Sequence, residues 1–193
     1  MTSGGASGSF REMNSARGHE IVESLRNAKA RFGDNYPKKF GGAAAIEILR
    51  AASREEGIMT SRRDVFVKGF HSEIDLIVPQ KNAAPWLDLL YEPQDVSVAL
   101  EVKKIGSFGE QGRDKIKRDF AGLKGLGVKC AYVTFEDREN YRWRPTKKTL
   151  GFPCFALAWH KFTDGPLERT KDDEGWEALV KFLRNAIAAR RGA

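Results

Sequence analysis

The sequence predicts an α/β domain in which helices flank a mixed β-sheet. Short runs rich in β-branched and apolar residues alternate with longer segments whose apolar residues recur every three or four positions. The step from the strand-like run 97–104 through a helix to the run 128–135 requires a right-handed parallel crossover. The closely spaced runs 64–70 and 73–79 favour an antiparallel hairpin instead. Parallel and antiparallel pairs together make the sheet mixed.

Two helices are expected before the first strand. Residues 15–32 carry apolar side chains at helical spacing, and Gly33 is typical of a helix end. Residues 42–56 are rich in alanine with a similar apolar stripe, and Gly57 follows them. The predicted order is therefore helix, helix, three strands, helix, two strands and a closing helix.

The remaining elements follow from the same patterns. Strands are expected over 64–70, 73–79, 97–104, 128–135 and 152–160. The other segments are a connection over 80–94 with one helical turn at 84–91, a helix over 113–126, a basic loop over 136–151 and a closing helix over 173–190.

Composition favours a soluble globular protein. The chain has 193 residues, of which 41% are hydrophobic and 31% charged, which suits one domain with a real core. The first ten residues are mostly small, so we expect a flexible tail over 1–10 and a single domain over 11–193. No apolar run is long enough for a transmembrane helix, and no signal peptide is expected. A net charge of +7 favours nucleic acid over a membrane as partner, although charge alone is weak support.

The two cysteines, Cys130 and Cys154, both lie in apolar strand-like runs. Their spacing matches neither a zinc site nor a disulfide framework. Free cysteines suit a reducing compartment, so we expect a cytoplasmic protein.

Three charged residues lie at period two on two predicted strands. Asp75 is in the run Glu73–Pro79, and Glu101 and Lys103 are in the run 97–104. Residues two apart on a strand share a face, so neighbouring strands would bring all three side chains together. The alternative is an exposed ion pair on a solvated sheet face, worth about 0–1 kcal/mol.

This set of groups suits phosphodiester hydrolysis. Two carboxylates are the ligands that Mg²⁺ takes from a protein while it keeps waters and phosphate oxygens. The metal activates a water and offsets phosphate charge, and a lysine beside it orients or deprotonates that water.

Together, the order of elements and the pattern Asp75…Glu101-Val102-Lys103 resemble the PD-(D/E)XK nuclease superfamily, over roughly residues 42–135. This resemblance implies a restriction-endonuclease-like core, helix, three strands, helix, strand, with an extra N-terminal helix and a C-terminal strand and helix. It also implies that Asp75 and Glu101 bind Mg²⁺, for which Mn²⁺ can substitute, and that Lys103 positions the attacking water.

The chain departs from the superfamily pattern in two ways. Ile74 stands where many members have proline, and the gap between the Asp75 and Glu101 strands contains an insertion of unknown role. Members often place a further carboxylate on the first core helix. The candidates for it are Glu20, Glu23 and Glu47, each of which is as well explained as a solvated glutamate.

A second set of candidates concerns nucleic-acid contact. Aromatic residues and cations alternate in the segment 140–148, so its cations can contact phosphates and its aromatic rings can stack on bases. The residues expected to bind nucleic acid are Arg142, Trp143, Arg144, Lys147 and Lys148. A solvated loop is the alternative, as it is for the exposed cations of the helix 113–126. His71 shares the face of Asp75 by parity, but a histidine in water is the simpler interpretation.

The leading hypothesis from sequence is therefore a Mg²⁺-dependent DNA endonuclease, of restriction or repair type, which cuts both strands as a two-fold dimer or by two sequential nicks. The first alternative is a non-catalytic nucleic-acid-binding module on the same fold. The second is a hydrolase or transferase that acts on another phosphate substrate.

Overall fold

A computed structural model describes residues 17–32, 40–104, 110–136, 147–158 and 174–191. The helices are α1 (Arg17–Phe32), α2 (Phe40–Glu55), α3 (Glu110–Gly125), α4 (Lys147–Leu150) and α5 (Glu174–Arg191), with a 3-10 helix at Pro93–Asp95. The strands are β1 (Phe66–Val67), β2 (Leu76–Pro79), β3 (Leu90–Tyr91), β4 (Val96–Lys103), β5 (Lys129–Glu136) and β6 (Cys154–Ala158). Within these ranges no helix has both the length and the apolar character that a membrane crossing requires.

The main sheet has four strands in the order β2-β4-β5-β6. β2 pairs antiparallel with β4, whereas β5 pairs parallel with both β4 and β6. The predicted mixed α/β fold is confirmed, and so is the parallel crossover from β4 through α3 to β5. β4 lies inside the sheet, which explains why its run Val96–Leu100 is fully buried.

Apolar side chains cover both faces of this sheet. On one face, Leu100 and Val102 of β4 pack in a cluster with residues of α1, α2 and α5. On the other face, Ala99 packs in a cluster with Phe120 and Leu123 of α3. Each large apolar side chain buried in this way contributes about 1.5–3 kcal/mol. The side chains of Glu101 and Lys103 follow Ala99 at period two, so they lie on the α3 face where the strand leaves the core.

The predicted end of α2 at Gly57 is confirmed. Gly57 has a φ of +73°, which glycine adopts without strain, and its N–H donates to the carbonyl of Arg54 at 3.0 Å. The N–H of Ile58 donates to the carbonyl of Ser53 at 2.9 Å, which completes a Schellman motif. The predicted end of α1 at Gly33 lies outside the described residues.

The predicted antiparallel hairpin of the first two strands is confirmed only in part, because Val65 and Ile74 exchange backbone hydrogen bonds but the strands are much shorter than predicted. β1 is only two residues long and pairs parallel with β3, while a single bridge, Val65 to Ile74, joins it to the residues before β2. The helical turn predicted at 84–91 is wrong. Leu87 and Asp88 have positive φ angles of 52° and 56°, which a right-handed helix excludes, and they form a turn that leads into β3.

Candidate active site

Asp75 lies immediately before β2, between the bridge residue Ile74 and Leu76, rather than within the strand as the sequence predicted. The register pairs Leu76 with Leu100, but the preceding Ile74 bridges to Val65 instead of continuing along β4. The backbone N–H of Val102 donates to Oδ2 of Asp75 at 2.7 Å, so the carboxylate takes the place of the missing strand partner. This charge-assisted hydrogen bond fixes one oxygen of Asp75 against β4.

Glu101 and Lys103 meet Asp75 at this position. Nζ of Lys103 lies 2.5 Å from Oε1 of Glu101 and 3.6 Å from Oδ2 of Asp75. The side chains are partly buried, with 22% of Asp75, 23% of Glu101 and 41% of Lys103 exposed. The structure therefore brings together the three residues that the sequence proposed as a catalytic set.

The electrostatics of this cluster favour a protonated lysine. Burial raises the pKa of Glu101, the negative charge of Asp75 raises it further, and Lys103 and Lys115 only partly oppose these effects. Burial lowers the pKa of Lys103, but the two carboxylates outweigh burial and the net pKa is raised. Lys103 is thus a cation at neutral pH, suited to donating hydrogen bonds to water or phosphate oxygens.

The donor set suits a divalent cation that needs few protein ligands. Two carboxylates close together carry more negative charge than Lys103 neutralises, so a cation beside them relieves their repulsion. Among the residues that the structure describes, no group of three or more His, Cys, Asp or Glu side chains is arranged to hold a metal ion. Asp75 and Glu101 are the carboxylates of this cluster, and two protein carboxylates suit Mg²⁺ because this ion retains waters and takes phosphate oxygens.

An open cavity of about 740 Å³ adjoins the cluster. One wall is the first part of α2, including Gly42 and Ile46, and the other includes Asp75 and Lys103. A Cβ at Gly42 would meet nothing within 4 Å, so this wall stands clear of the cluster. The cavity is open, and its lining includes the charged side chains of Arg63 and Lys103, so a charged polymer can reach the carboxylate of Asp75.

One residue of α3 next to the cluster, Asp119, was not singled out by its sequence pattern. Asp119 is 17% exposed, its Oδ2 lies 2.6 Å from Nζ of Lys115, and its Oδ1 lies 3.7 Å from Nε2 of His71. It also shares a small cleft with Glu101. The only local signal was the i,i+4 spacing of Lys115 and Asp119, which is common on solvated helices. His71 is 77% exposed, as the simpler interpretation expected.

The structure separates the three candidates for a further carboxylate from the cavity. Glu47 pairs with Arg50 at 2.8 Å, and Glu20 pairs with Arg17 at 3.2 Å on α1. Glu23 is an exposed residue of α1. None of the three lines this cavity, although Glu47 lines an adjoining one, whereas Glu73, two residues before Asp75, lines the cavity itself.

The predicted nucleic-acid segment is only partly described. Arg142, Trp143 and Arg144 lie outside the described residues, and Lys147 and Lys148 are exposed residues of α4 that do not line the cavity.

The two cysteines are free thiols on neighbouring strands, as the sequence predicted. Burial raises the pKa of Cys130 and that of Cys154 to about 12 each, which makes both poor nucleophiles.

Comparison with known proteins supports the fold. No protein-family model matches the chain, and no curated protein matches it. Two solved structures are similar to it, the cAAA-bound forms of NucC from P. aeruginosa ATCC27853 and from E. coli MS115-1. Each has a TM-score of 0.63 and 13% sequence identity, over 96% of this chain and 93% of the other. At this identity the likeness shows that the chain shares the NucC fold.

Proposed function

We propose that the protein is a metal-dependent DNA endonuclease of the PD-(D/E)XK superfamily. The observation that carries this proposal is the meeting of Asp75, Glu101 and Lys103 beside an open cavity, at the point where β2 leaves β4. The fold shared with NucC supports it, because the same order of elements underlies the resemblance to the superfamily.

Asp75 and Glu101 are the residues that would hold the metal. Bound there, Mg²⁺ supplies an activated water and offsets the negative charge of the attacked phosphate. The hydrogen bond from Val102 orients Asp75 before substrate arrives, so one of its oxygens is already fixed. Mn²⁺ suits the same oxygen ligands and is expected to substitute.

Lys103 acts as a hydrogen-bond donor. Because its pKa is raised, it enters the reaction protonated and orients the attacking water or a phosphate oxygen with its ammonium group. Its contact with Glu101 holds the ammonium group within reach of both carboxylates. One such site cuts one strand at each encounter, so cutting of both strands requires a homodimer or two sequential nicks.

The proposal is tested by plasmid cleavage. Supercoiled plasmid is incubated with the protein in Mg²⁺, Mn²⁺ or EDTA, each without and with cAAA, the ligand that both NucC structures carry. The variants are Glu101→Gln, Lys103→Ala and, as a matched control, Glu23→Gln, which removes the same charge from an exposed carboxylate on α1 that does not line the cavity.

We expect metal-dependent nicking or linearisation by the parent protein and the Glu23→Gln control, and none by the other two variants. Cleavage that persists in Glu101→Gln would refute the site assignment. DNA binding without cleavage, and without Mg²⁺-dependent thermal stabilisation, would favour the non-catalytic binding module. Hydrolysis of free nucleotides alone would favour an enzyme that acts on another phosphate substrate.

A further inference from the structure

A β-bulge faces the active-site aspartate from the other side of β2. The N–H of Ser61 donates to the carbonyl of Ile77 at 2.8 Å, and the N–H of Ile77 donates to Oγ of Ser61 at 3.0 Å. Val65 and Ile74 exchange both backbone hydrogen bonds, at 3.0 and 2.8 Å. Val65 lies four residues after Ser61, whereas Ile74, which precedes β2, lies only three residues before Ile77. One extra residue is therefore accommodated between these two points, which is the definition of a bulge.

The bulge is attached directly to the candidate metal ligand. The N–H of Asp64 donates to the backbone carbonyl of Asp75 at 3.3 Å. Asp64 has a φ of 56°, in the left-handed region, which costs an aspartate less than most residues but is still uncommon. Bulges next to active sites re-aim side chains, and here the residues that the bulge projects outward are Arg62 and Arg63, both exposed.

Arg63 and Asp64 line two adjoining cavities. They contribute to the 740 Å³ cavity beside Asp75 and to a second one of about 380 Å³ that also includes Glu47, Arg50 and Arg62. The helix α2 forms a wall of both, from Gly42 in the first to Arg50 in the second. Eight residues of helix span about 12 Å, which is the axial length of several nucleotides of one strand. The two cavities thus form one groove that leads away from the carboxylates.

Among the described residues, the groove is lined by five cationic side chains and four carboxylates, so its cations outnumber its anions by one, and Arg63 is the cation that both of its cavities share. Nε of Arg63 lies 3.6 Å from the Asp64 carboxylate, and the two side chains are 48% and 46% exposed. A surface pair of this length and exposure is worth little, so a phosphate can take the place of Asp64 at small cost. A guanidinium forms two parallel hydrogen bonds to a phosphate. The contact between Arg63 and the solvated carboxylate of Asp64, at 3.6 Å, is longer than such hydrogen bonds.

We propose that Arg63 binds a backbone phosphate adjacent to the one that is cut, and that the groove along α2 is the path of the bound strand. The proposal rests on the proposed function, since it places the DNA beside Asp75 and Glu101. The bulge gives it a specific geometry, because Arg63 is attached through Asp64 to the backbone of Asp75. Phosphate binding by Arg63 would therefore fix the register of the strand relative to the carboxylates.

The test measures DNA binding without cleavage. A fluorescein-labelled DNA duplex is titrated with Glu101→Gln protein over a series of NaCl concentrations, and the affinity is read by fluorescence anisotropy. Arg63→Ala, Arg63→Lys and the control Arg184→Ala are each added to this background. Arg184 lies on α5, is 57% exposed and lines neither cavity of the groove.

Loss of one phosphate contact lowers the slope of log K against log[salt] by about 0.9. We expect Arg63→Ala to bind DNA more weakly and with this lower slope. Arg63→Lys should change the slope little, and Arg184→Ala should not change it. If Arg63→Ala binds with the slope and affinity of Arg184→Ala, the inference is wrong while the proposed function stands. If the Glu101→Gln parent shows no salt-dependent DNA binding, both are overturned.

Discussion

Replacing Asp75 by asparagine and by alanine should separate its structural role from its proposed catalytic role. The Asp75 carboxylate has two tasks in the structure. One oxygen accepts the N–H of Val102 at 2.7 Å, and its negative charge acts on Glu101 and Lys103. Asparagine keeps a carbonyl oxygen that can accept the same hydrogen bond but carries no charge. Alanine removes both.

The expected stability changes follow from these contacts. A hydrogen bond to a charged group contributes about 1.5–3 kcal/mol, and Asp75→Ala also leaves the N–H of Val102 without this acceptor. Part of the loss is offset because the repulsion between Asp75 and Glu101 disappears. We therefore expect Asp75→Ala to be less stable by about 1–2 kcal/mol, which lowers Tm by about 2–8 °C in a chain of this size. Asp75→Asn should remain within about 0.5 kcal/mol of the parent.

The assay is thermal unfolding of the three proteins in EDTA and in Mg²⁺, alongside plasmid cleavage. At a metal concentration ten times Kd, binding to the folded state stabilises the parent by about 1.4 kcal/mol, or about 3–6 °C. Neither variant should gain this increment, and neither should cleave DNA. Asp75→Asn would then be a folded protein of near-normal stability that lacks both metal response and activity.

Two results would refute this reasoning. Equal Tm values for Asp75→Ala and the parent in EDTA would mean that the Val102 hydrogen bond contributes nothing to stability. An increase in Tm with Mg²⁺ in Asp75→Asn, as large as in the parent, would mean that the metal binds elsewhere.

Three further predictions concern other features. The raised pKa of Glu101 means that the folded state binds this proton more tightly than the unfolded state, so stability falls as pH rises from about 4.3 through the raised value. Glu101→Gln should remove that loss of stability and melt at a higher temperature than the parent at pH 7 in EDTA. Equal melting temperatures would contradict the raised pKa. With pKa values of about 12, Cys130 and Cys154 are ionised to only about one part in 10⁴ at pH 8. Both thiols should therefore react with Ellman's reagent only after unfolding. Rapid labelling of the native protein would contradict the raised pKa values. A Cβ at Gly175 collides with the backbone of β6, whereas a Cβ at Gly42 meets open space. In urea unfolding, Gly175→Ala should therefore lower the free energy of unfolding by about 1–3 kcal/mol, and Gly42→Ala should raise it by up to about 1 kcal/mol. Similar unfolding midpoints for the two variants would contradict the packing described.

Features fixed by local residue patterns were predictable from the sequence. The period of two in β4 shows that Glu101 and Lys103 share a face, and a neighbouring strand with one aspartate is enough to suggest a cluster. The end of α2 follows from Gly57, because the Schellman motif needs a residue with positive φ within a few positions. The fold class follows from the alternation of these local patterns along the chain.

Features that depend on distant partners were not predictable in the same way. β1 has an apolar pattern that fits any neighbouring strand, and only the folded chain shows that its partner is β3, more than twenty residues away. The bulge at Arg63 requires knowledge of both hydrogen-bonding ends of the segment. Asp119 has the spacing of an ordinary surface ion pair with Lys115, and its position beside Glu101 depends on how α3 packs against the sheet.

The exchange of partners by β2 connects the stability of the site to its proposed function. Where Ile74 leaves β4, an interior strand is left with an unpaired N–H at Val102, and Asp75 satisfies it with a carboxylate. Burial raises the pKa of Glu101, and the negative charge that this solution places beside it raises the pKa further, so the ionised form of Glu101 is costly. Lys103 offsets only part of this cost, so the protein without metal retains a deficit in stability that a divalent cation would remove. A neutral residue in place of Glu101 would remove this deficit, so the proposed metal-binding role accounts for the carboxylate better than stability does.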